Sequence, residues 1–403
     1  MKYLHFMMDQ FYSREFIKLI QSNFKIEEHQ FFIVKKKNKK MYINPKNYQN
    51  VKIFKVSREK KVLEFVISHI KFFTFEYIKI RRLMKQADYI FVHNLTEEIS
   101  GILFGFKGKA KILWVIWGSD LYDYVPLNLY DHYTSRLLTK LDKKVISGLI
   151  NFYYSFFFEI KKAVIRRLDY VISAHSGDLK LFNKFFKTKA ECYTQSIYPN
   201  PVDFEKLDAE YNYSIDERYN YKKNGFKLLL LGNSGSPTNN HLDIMIRLSE
   251  MKEQDFKIIC PLSYGPPIYI KKIIENGKIL FGDRFIPLLE FLNPEIYYHI
   301  LKQVDLAIMY HNRQQGMGNI QILVYLGKPI CMKKTSAFFH LIERGVFVFS
   351  TQDLEKLILN EMEFTEVMLR NNKKIAREYF SVKSVISSIE NLVNLLEEGE
   401  SQS

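Results

Sequence analysis

Three cysteines, Cys192, Cys260 and Cys331, are scattered through 403 residues. They form no zinc-type spacing and no disulfide framework, and an odd, dispersed count suits a reducing cytoplasm. Long apolar runs are missing as well. The longest uncharged, largely apolar stretch, Val145 to Phe158, has 14 residues before Glu159 ends it, too few to span a bilayer. At the N-terminus, Asp9 and Gln10 interrupt before a signal-peptide core forms. Any membrane contact is therefore expected to be peripheral. The chain has no Gly-x-Gly-x-x-Gly and no Walker lysine, so neither NAD nor ATP is the first expectation. It has no Asp-x-Asp pair, so no metal ion is demanded. It has no arginine-rich tail and no compact nucleic-acid module, which argues against a nucleic-acid partner.

What is present is a basic, globular chain long enough for two domains with cores of their own. Hydrophobic residues make up 47% and the net charge is +15. That surplus favours an anionic partner such as a phosphate-bearing ligand or an acidic membrane surface. Apolar runs alternate with stretches of helical periodicity from end to end. Strands are expected at 2–6, 30–34, 51–56, 89–92, 112–116, 170–173, 190–193, 227–231, 256–260, 304–310, 330–332 and 346–349. Helices are expected between them, including 11–20, 60–84, 175–186, 242–251, 267–275, 293–303 and much of 353–397. Strands separated by helices imply an α/β fold with parallel sheets covered on both faces. Residues 203–224 are polar and aperiodic and read as a linker. The expected division is a first domain at 1–202, a second at 225–380 and a C-terminal helix with a frayed tail at 381–403.

Parallel sheets bind ligands at the carboxyl ends of their strands, and the chemistry-bearing loops fall there. Arg313-Gln314-Gln315-Gly316-Met317-Gly318-Asn319 follows one strand and precedes a helix. Its two glycines permit close backbone approach. A helix opening at Asn319 aims N–H groups at an anion, and Arg313 adds a cationic fork. The expectation is a sugar-nucleotide diphosphate at this point; a tight turn beside a surface arginine is the competing reading. Gly232-Asn233-Ser234-Gly235 after the 227–231 strand is a second phosphate-suited turn. Tyr264 follows the next strand. The candidate donor-binding set is Asn233, Ser234, Gly235, Tyr264, Arg313, Gln314, Gln315, Gly316, Gly318 and Asn319. His311 either touches the diphosphate or simply ends its strand.

In the first half, Trp117-Gly118-Ser119-Asp120-Leu121-Tyr122 follows the 112–116 strand. Asp120 is read either as a general base or hydroxyl ligand, or as the cap of the next helix. Residues 143–167 hold an aromatic block with basic flanks. It suits either a bilayer headgroup zone or an inward-facing helix.

Three stretches resemble one family. They are Trp114-Val115-Ile116-Trp117-Gly118-Ser119-Asp120-Leu121-Tyr122, Leu231-Gly232-Asn233-Ser234-Gly235 with Asn240-His241, and Arg313-Gln314-Gln315-Gly316-Met317-Gly318. The order and spacing are similar to those of the 4-acetamido-4,6-dideoxy-D-galactose (Fuc4NAc) transferases, glycosyltransferase family 56. The chain departs from that pattern where His241 directly follows Asn240, without the family's intervening acid, and where His311 and Asn312 stand for apolar residues. The resemblance implies a GT-B architecture, two Rossmann-like domains with parallel sheets facing across a cleft. The C-terminal domain would take a dTDP-sugar as donor, with no cofactor. The N-terminal domain would take an undecaprenyl-diphosphate-linked saccharide, a polyprenyl-linked glycan acceptor, at the cytoplasmic face of the inner membrane. That implies a peripheral membrane enzyme of enterobacterial common antigen or O-antigen synthesis. Asp120 and Arg313 would then be catalytic, with Asp9, Trp117, Gly118 and Tyr122 on the acceptor side. A different donor, a soluble acceptor, or a non-enzymatic basic protein at a membrane are the other readings.

Overall fold

The computed structural model describes residues 2–36, 41–56, 77–141, 148–199, 204–208, 216–222, 225–251 and 255–401. The chain forms two compact units, and each is discontinuous in sequence. The first comprises Met1–Pro126, Val145–Pro201 and Val382–Ser403; the second comprises Leu127–Lys144 and Val202–Ser381. The serial division expected at 202 and 225 is therefore crossed twice more, once by residues 127–144 and once by the last helix.

The first unit is built on a seven-stranded sheet in the order β3-β2-β1-β4-β5-β6-β7. Its strands are β1 (Tyr3–Met8), β2 (His29–Lys36), β3 (Val51–Val56), β4 (Tyr89–His93), β5 (Lys111–Val115), β6 (Tyr170–Ser173) and β7 (Glu191–Thr194). Every pairing is parallel. Strand β1 is buried along its whole length, as expected of a central strand covered on both faces. The helix Val382–Ser401 closes one face. Its Val385, Ile389, Leu392 and Leu396 pack among Tyr3, Phe31 and Tyr89, and Tyr89 Oη donates to the Leu396 carbonyl at 2.9 Å.

The second unit has a six-stranded parallel sheet in the order β10-β9-β8-β11-β12-β13. These strands are β8 (Lys227–Leu231), β9 (Phe256–Pro261), β10 (Phe285–Leu288), β11 (Leu306–Met309), β12 (Ile330–Met332) and β13 (Phe349–Ser350). Strand β10 is absent from the sequence expectation. It is short and holds Pro287, which a sheet tolerates only at its edge, and β10 is an edge strand. Strand β11 is shorter than expected because Val304 caps the preceding helix, Pro294–Gln303. That helix begins as its sequence suggests, with the Asn293 side chain accepting from the Glu295 N–H at 3.3 Å. The inserted helix His132–Leu141 belongs to this unit: Asp243 accepts from the Tyr133 and Thr134 N–H groups at 2.7 and 2.9 Å.

Both sheets place the first strand of their half beside the fourth, so strand order reverses between β1 and β4 and again between β8 and β11. These reversals are where a doubly wound sheet opens a crevice for a ligand.

The long basic-aromatic helix expected at 60–84 is described only as Tyr77–Gln86; residues 57–76 lie outside the described set. Of the second aromatic block, the helix Gly148–Ile165 is described. Phe157, Ile160, Val164 and Ile165 on it are buried, so its C-terminal half is an inward-facing helix rather than a free aromatic surface.

Candidate active site

In the second unit the loops after β8 and β11 flank the reversal and are tied to each other. The hub is Asn239, almost wholly buried. Its Nδ2 donates to the Ser234 and Ser236 carbonyls, both at 3.0 Å, and to Ser234 Oγ at 3.2 Å. Its Oδ1 accepts from the Asn233 N–H at 3.1 Å and pairs with His311 Nε2 at 2.8 Å. Since Oδ1 is an acceptor, His311 must carry its proton on Nε2. Burial, with help from the charges of His241, Arg313 and Lys333, pulls the His311 imidazole down to about 3. His311 is thus a neutral strut beneath the loop. Ser234, expected to face a ligand, is also buried and turned inward: its hydroxyl accepts from Asn239 and from the Ser236 N–H at 3.4 Å.

Backbone geometry explains two of the glycines. Gly232 has φ +69°, and a Cβ there would lie 2.5 Å from Asn239 Oδ1. Gly316 has φ +71° and is the N-cap of the helix Met317–Tyr325. A Cβ on Gly316 would sit 3.1 Å from Asn233 Cγ. The helix therefore opens at Gly316, not at the expected Asn319. This leaves Met317, Gly318 and Asn319 in the first turn, where N–H groups have no partner within the helix. The Asn319 side chain is turned aside and donates to Tyr297 Oη at 2.8 Å. Gln315 joins the two loops: its Nε2 donates to Asn233 Oδ1 at 3.1 Å, and its Oε1 accepts from the Thr238 hydroxyl. Half-buried Arg313 and Gln314 lie on the same loop. Gly235 donates its N–H to the Tyr264 carbonyl at 2.7 Å, and Asn233 Nδ2 donates to Tyr264 Oη at 3.3 Å. The structure thus brings Asn233, Gly235, Tyr264, Gln315 and Gly316 together along one sheet edge.

Asn240 and Asn312, next to these motifs, anchor the inserted segment. Asn240 accepts from the Asp131 N–H at 2.9 Å and donates to the Leu129 carbonyl at 3.2 Å. Asn312 donates to Asp131 Oδ1 at 2.8 Å and to the Asn128 carbonyl at 3.2 Å. Lys333 completes the cluster by donating to Asn312 Oδ1 at 2.7 Å and pairing with Asp131. The amide at 312, where the family pattern has an apolar residue, is therefore matched to the segment it holds.

The first unit treats its expected site residues differently. Asp120 is 4% exposed. Its Oδ2 accepts from Trp114 Nε1 at 2.7 Å and from the Leu95 N–H at 3.1 Å, and its Oδ1 accepts from the Trp117 N–H at 2.9 Å. The cap of the short helix Ser119–Tyr122 is Gly118, at φ +100°, and not Asp120, and the carboxylate accepts from three protein donors. Burial pushes its pKa up, against the pull of those hydrogen bonds and of the Lys161 charge. Asp9 accepts from the Tyr42 and Ile43 N–H groups at 3.1 and 3.0 Å and faces Lys35 at 3.9 Å. Tyr122 is buried and donates to Asp178 Oδ1 at 2.7 Å. Trp117 alone of this group offers a half-buried ring, edge-on to Tyr198 with centroids 4.8 Å apart.

Sequence reasoning missed the main polar feature of this unit. His29, His5 and His93, on β2, β1 and β4, are buried and joined head to tail: His5 Nε2 to His29 Nδ1 at 2.9 Å, and His5 Nδ1 to His93 Nε2 at 3.0 Å. Tyr198 Oη closes the line on His93 Nδ1. Desolvation lowers all three imidazoles, His29 to about 4 and His93 to about 3. Nothing local in the sequence links positions 5, 29 and 93; only the order of the strands does. Lys161, a basic flank of the aromatic block in sequence, is turned inward. It is buried with its Nζ 3.6 Å from the Tyr124 ring centroid, and burial lowers it to about 8.

The whole chain superposes on solved glycosyltransferases of the GT-B class. Sucrose-phosphate synthase from Thermosynechococcus elongatus is 9% identical, with 99% of this chain and 100% of that chain covered at a TM-score of 0.67. HepE of Anabaena, solved in complex with UDP, is 13% identical, with 98% and 100% covered at 0.64. The UDP-forming α,α-trehalose-phosphate synthase from Burkholderia vietnamiensis is 8% identical, with 98% and 100% covered at 0.62. At such identities the likeness speaks for the fold, and it agrees with the two doubly wound sheets. The sequence itself goes further, because residues 146–383, more than half the chain, match the family described as 4-alpha-L-fucosyltransferase, glycosyl transferase group 56. The protein is thus a glycosyltransferase, and it belongs to glycosyltransferase group 56.

Proposed function

We propose that this glycosyltransferase moves a deoxyamino hexose such as Fuc4NAc from a dTDP-sugar to an undecaprenyl-diphosphate-linked saccharide, working peripherally at the cytoplasmic face of the inner membrane in the synthesis of a cell-surface polysaccharide. The observation that carries the donor half is the junction of Asn233, Gln315 and Gly316 beside a helix N-terminus. Glycosyl transfer from a nucleotide releases a diphosphate, and its developing charge needs fixed donors. The free N–H groups of the first helical turn and the guanidinium of Arg313 are such donors. The bound UDP of HepE, on the same fold, is in keeping with a nucleotide donor. The acceptor half rests on the resemblance of the Trp114–Tyr122 stretch to the Fuc4NAc transferases and on the basic surplus of the chain. Within that half, Asp120 acts by position: it fixes the loops after β4 and β5 rather than taking a proton.

The test is a transfer assay with the full chain, pairing dTDP- and UDP-linked deoxyamino sugars with a polyprenyl-diphosphate-linked saccharide in vesicles and with the same saccharide free in solution. The reading expects turnover with the dTDP donor and the lipid-linked acceptor. Equal turnover on the free saccharide, or activity with UDP-sugars alone, would replace the acceptor or the donor respectively.

A further inference from the structure

Along the carboxyl edge of the second unit's sheet, the strands run β10, β9, β8, β11. The loop after each contributes one distinctive group. Phe291 follows β10, Tyr264 follows β9, Asn233 follows β8, and Gln315 with Gly316 follows β11. Neighbouring strands lie ~4.8 Å apart, so this row is on the order of 14 Å long.

Phe291 and Tyr264 stack, with ring centroids 5.7 Å apart and planes within 8°. They nevertheless stand 75% and 49% exposed. A paired aromatic surface left in water is a feature that calls for an occupant. Tyr264 is also held firmly. The loops after β8 and β9 touch through glycine: Gly265 has φ +147°, and a Cβ there would lie 2.3 Å from the Gly235 carbonyl oxygen. The Gly235 N–H donates to the Tyr264 carbonyl at 2.7 Å, fixing the backbone beneath the ring. At the ring's far end, Tyr264 Oη accepts from Asn233 Nδ2 at 3.3 Å, and Asn233 Oδ1 accepts from Gln315 at 3.1 Å. An unbroken line of contacts therefore joins the aromatic pair to the helix that opens at Gly316.

We propose that Tyr264 and Phe291 form the stacking platform for the nucleobase of the donor. The nucleotide lies along the strand edge, its base over β10 and β9 and its diphosphate over β8 and β11. This rests on the nucleotide-sugar reading above and assigns the end of that site opposite the diphosphate. Stacking uses the π-face that every base presents and is tolerant of base identity. The platform therefore supplies affinity for the nucleotide, while the choice between thymine and uracil is made elsewhere. Because the base is remote from the reacting carbon, the contribution is the same in ground and transition states. Loss of the platform raises Kd and KM and leaves kcat in place.

Calorimetric titration of the full chain with dTDP, UDP and inorganic pyrophosphate tests this. Phe291→Ala and Tyr264→Ala, shown to be folded by circular dichroism, are expected to weaken dTDP and UDP about ten- to a hundredfold while pyrophosphate binding stays within about twofold. Tyr264→Phe, which keeps the ring, is expected to bind dTDP nearly as the parent does. Dissociation constants for dTDP unchanged within twofold in both alanine variants would overturn the platform. So would equal losses for pyrophosphate and dTDP, since the pair would then merely be shaping the loop. A parent chain that binds neither nucleotide nor pyrophosphate would instead remove the donor reading itself, a result separable from failure of the platform alone.

Discussion

In the second unit, Asn233, Gln315 and Gly316 meet across the reversal of strand order, and the helix beyond them opens with N–H groups that have no partner within the helix. In the first unit, Asp9, Asp120 and Tyr122 at the same edge turn inward and close on their own loops and neighbours. The sheets share a topology, yet one edge is built to present donors and the other to consume them. The difference teaches that a carboxylate after a parallel strand is not by position alone a catalytic group. Its own hydrogen-bond partners have to be counted as well, and for Asp120 they are three protein donors shared over both oxygens.

The strongest way to break this contrast is acid. His5, His29 and His93 are held below their ordinary value by burial, so between about pH 4 and 6.5 the unfolded chain binds protons that the folded first unit does not. Stability must therefore rise with pH through that window and fall away below 6.5. With about 1.4 kcal/mol per proton and pH unit, three imidazoles give a slope of up to about 4 kcal/mol per unit. The second unit, with His241 and His311 lowered to about 3 by burial and the more exposed His299 also lowered, should lose stability in the same window. Urea unfolding followed from pH 7 to pH 5 reads this directly, and a flat profile would show that the imidazole line is not kept neutral by burial. Next in size, Asp120→Ala leaves the Trp114, Leu95 and Trp117 donors without a partner, an expected loss of about 3 kcal/mol or more. Unfolding of the first unit should shift while dTDP affinity holds; an affinity that falls in step would put Asp120 on the donor side instead. Arg313→Ala should do the reverse, lowering kcat/KM on the order of a hundredfold, or about 2.7 kcal/mol, with little change in stability. Unaltered turnover in the lipid-acceptor assay would remove Arg313 from the chemistry. The smallest expected effect sharpens the picture of the first unit. Lys161 is lowered to about 8, so its burial penalty is present below pH 8 and disappears as pH climbs towards 10.5. Lys161→Met is expected to stabilise at pH 7 by about 1–2 kcal/mol, partly offset by the lost contact with Tyr124, and to gain nothing near pH 10.5. A destabilised variant at neutral pH would mean the ammonium is better satisfied than its surroundings suggest.

Most strands were legible in the sequence because both sheets are parallel and covered, so each strand is a short apolar run between turn signals. Val51–Val56 and Lys227–Leu231 agree to the residue. The Gly232–Gly235 and Arg313–Asn319 loops were legible for a related reason: glycine at positive φ and amides beside it are local requirements of a tight turn. Strand β10 was not, since an edge strand with Pro287 and polar surroundings lacks the apolar run that marks a central one. Nor was the orientation of Ser234 and Asp120. A hydroxyl or carboxylate in a loop looks the same in sequence whether it faces water or supports its own backbone. The line His29–His5–His93 needed strand order and register, which no single segment encodes. The exchange of residues 127–144 and 382–401 between units was hidden because a helix's apolar face does not state which core it joins.

That exchange has a consequence for how the protein is made. The chain passes between the units after Pro126, Lys144, Pro201 and Ser381, so no single cut yields an intact half. Strand β1 is covered by the helix Val382–Ser401, with Lys2 paired to Glu397 and Tyr89 to Leu396. During synthesis that face of the sheet stays apolar and open until a helix encoded after the whole of the second unit has been made.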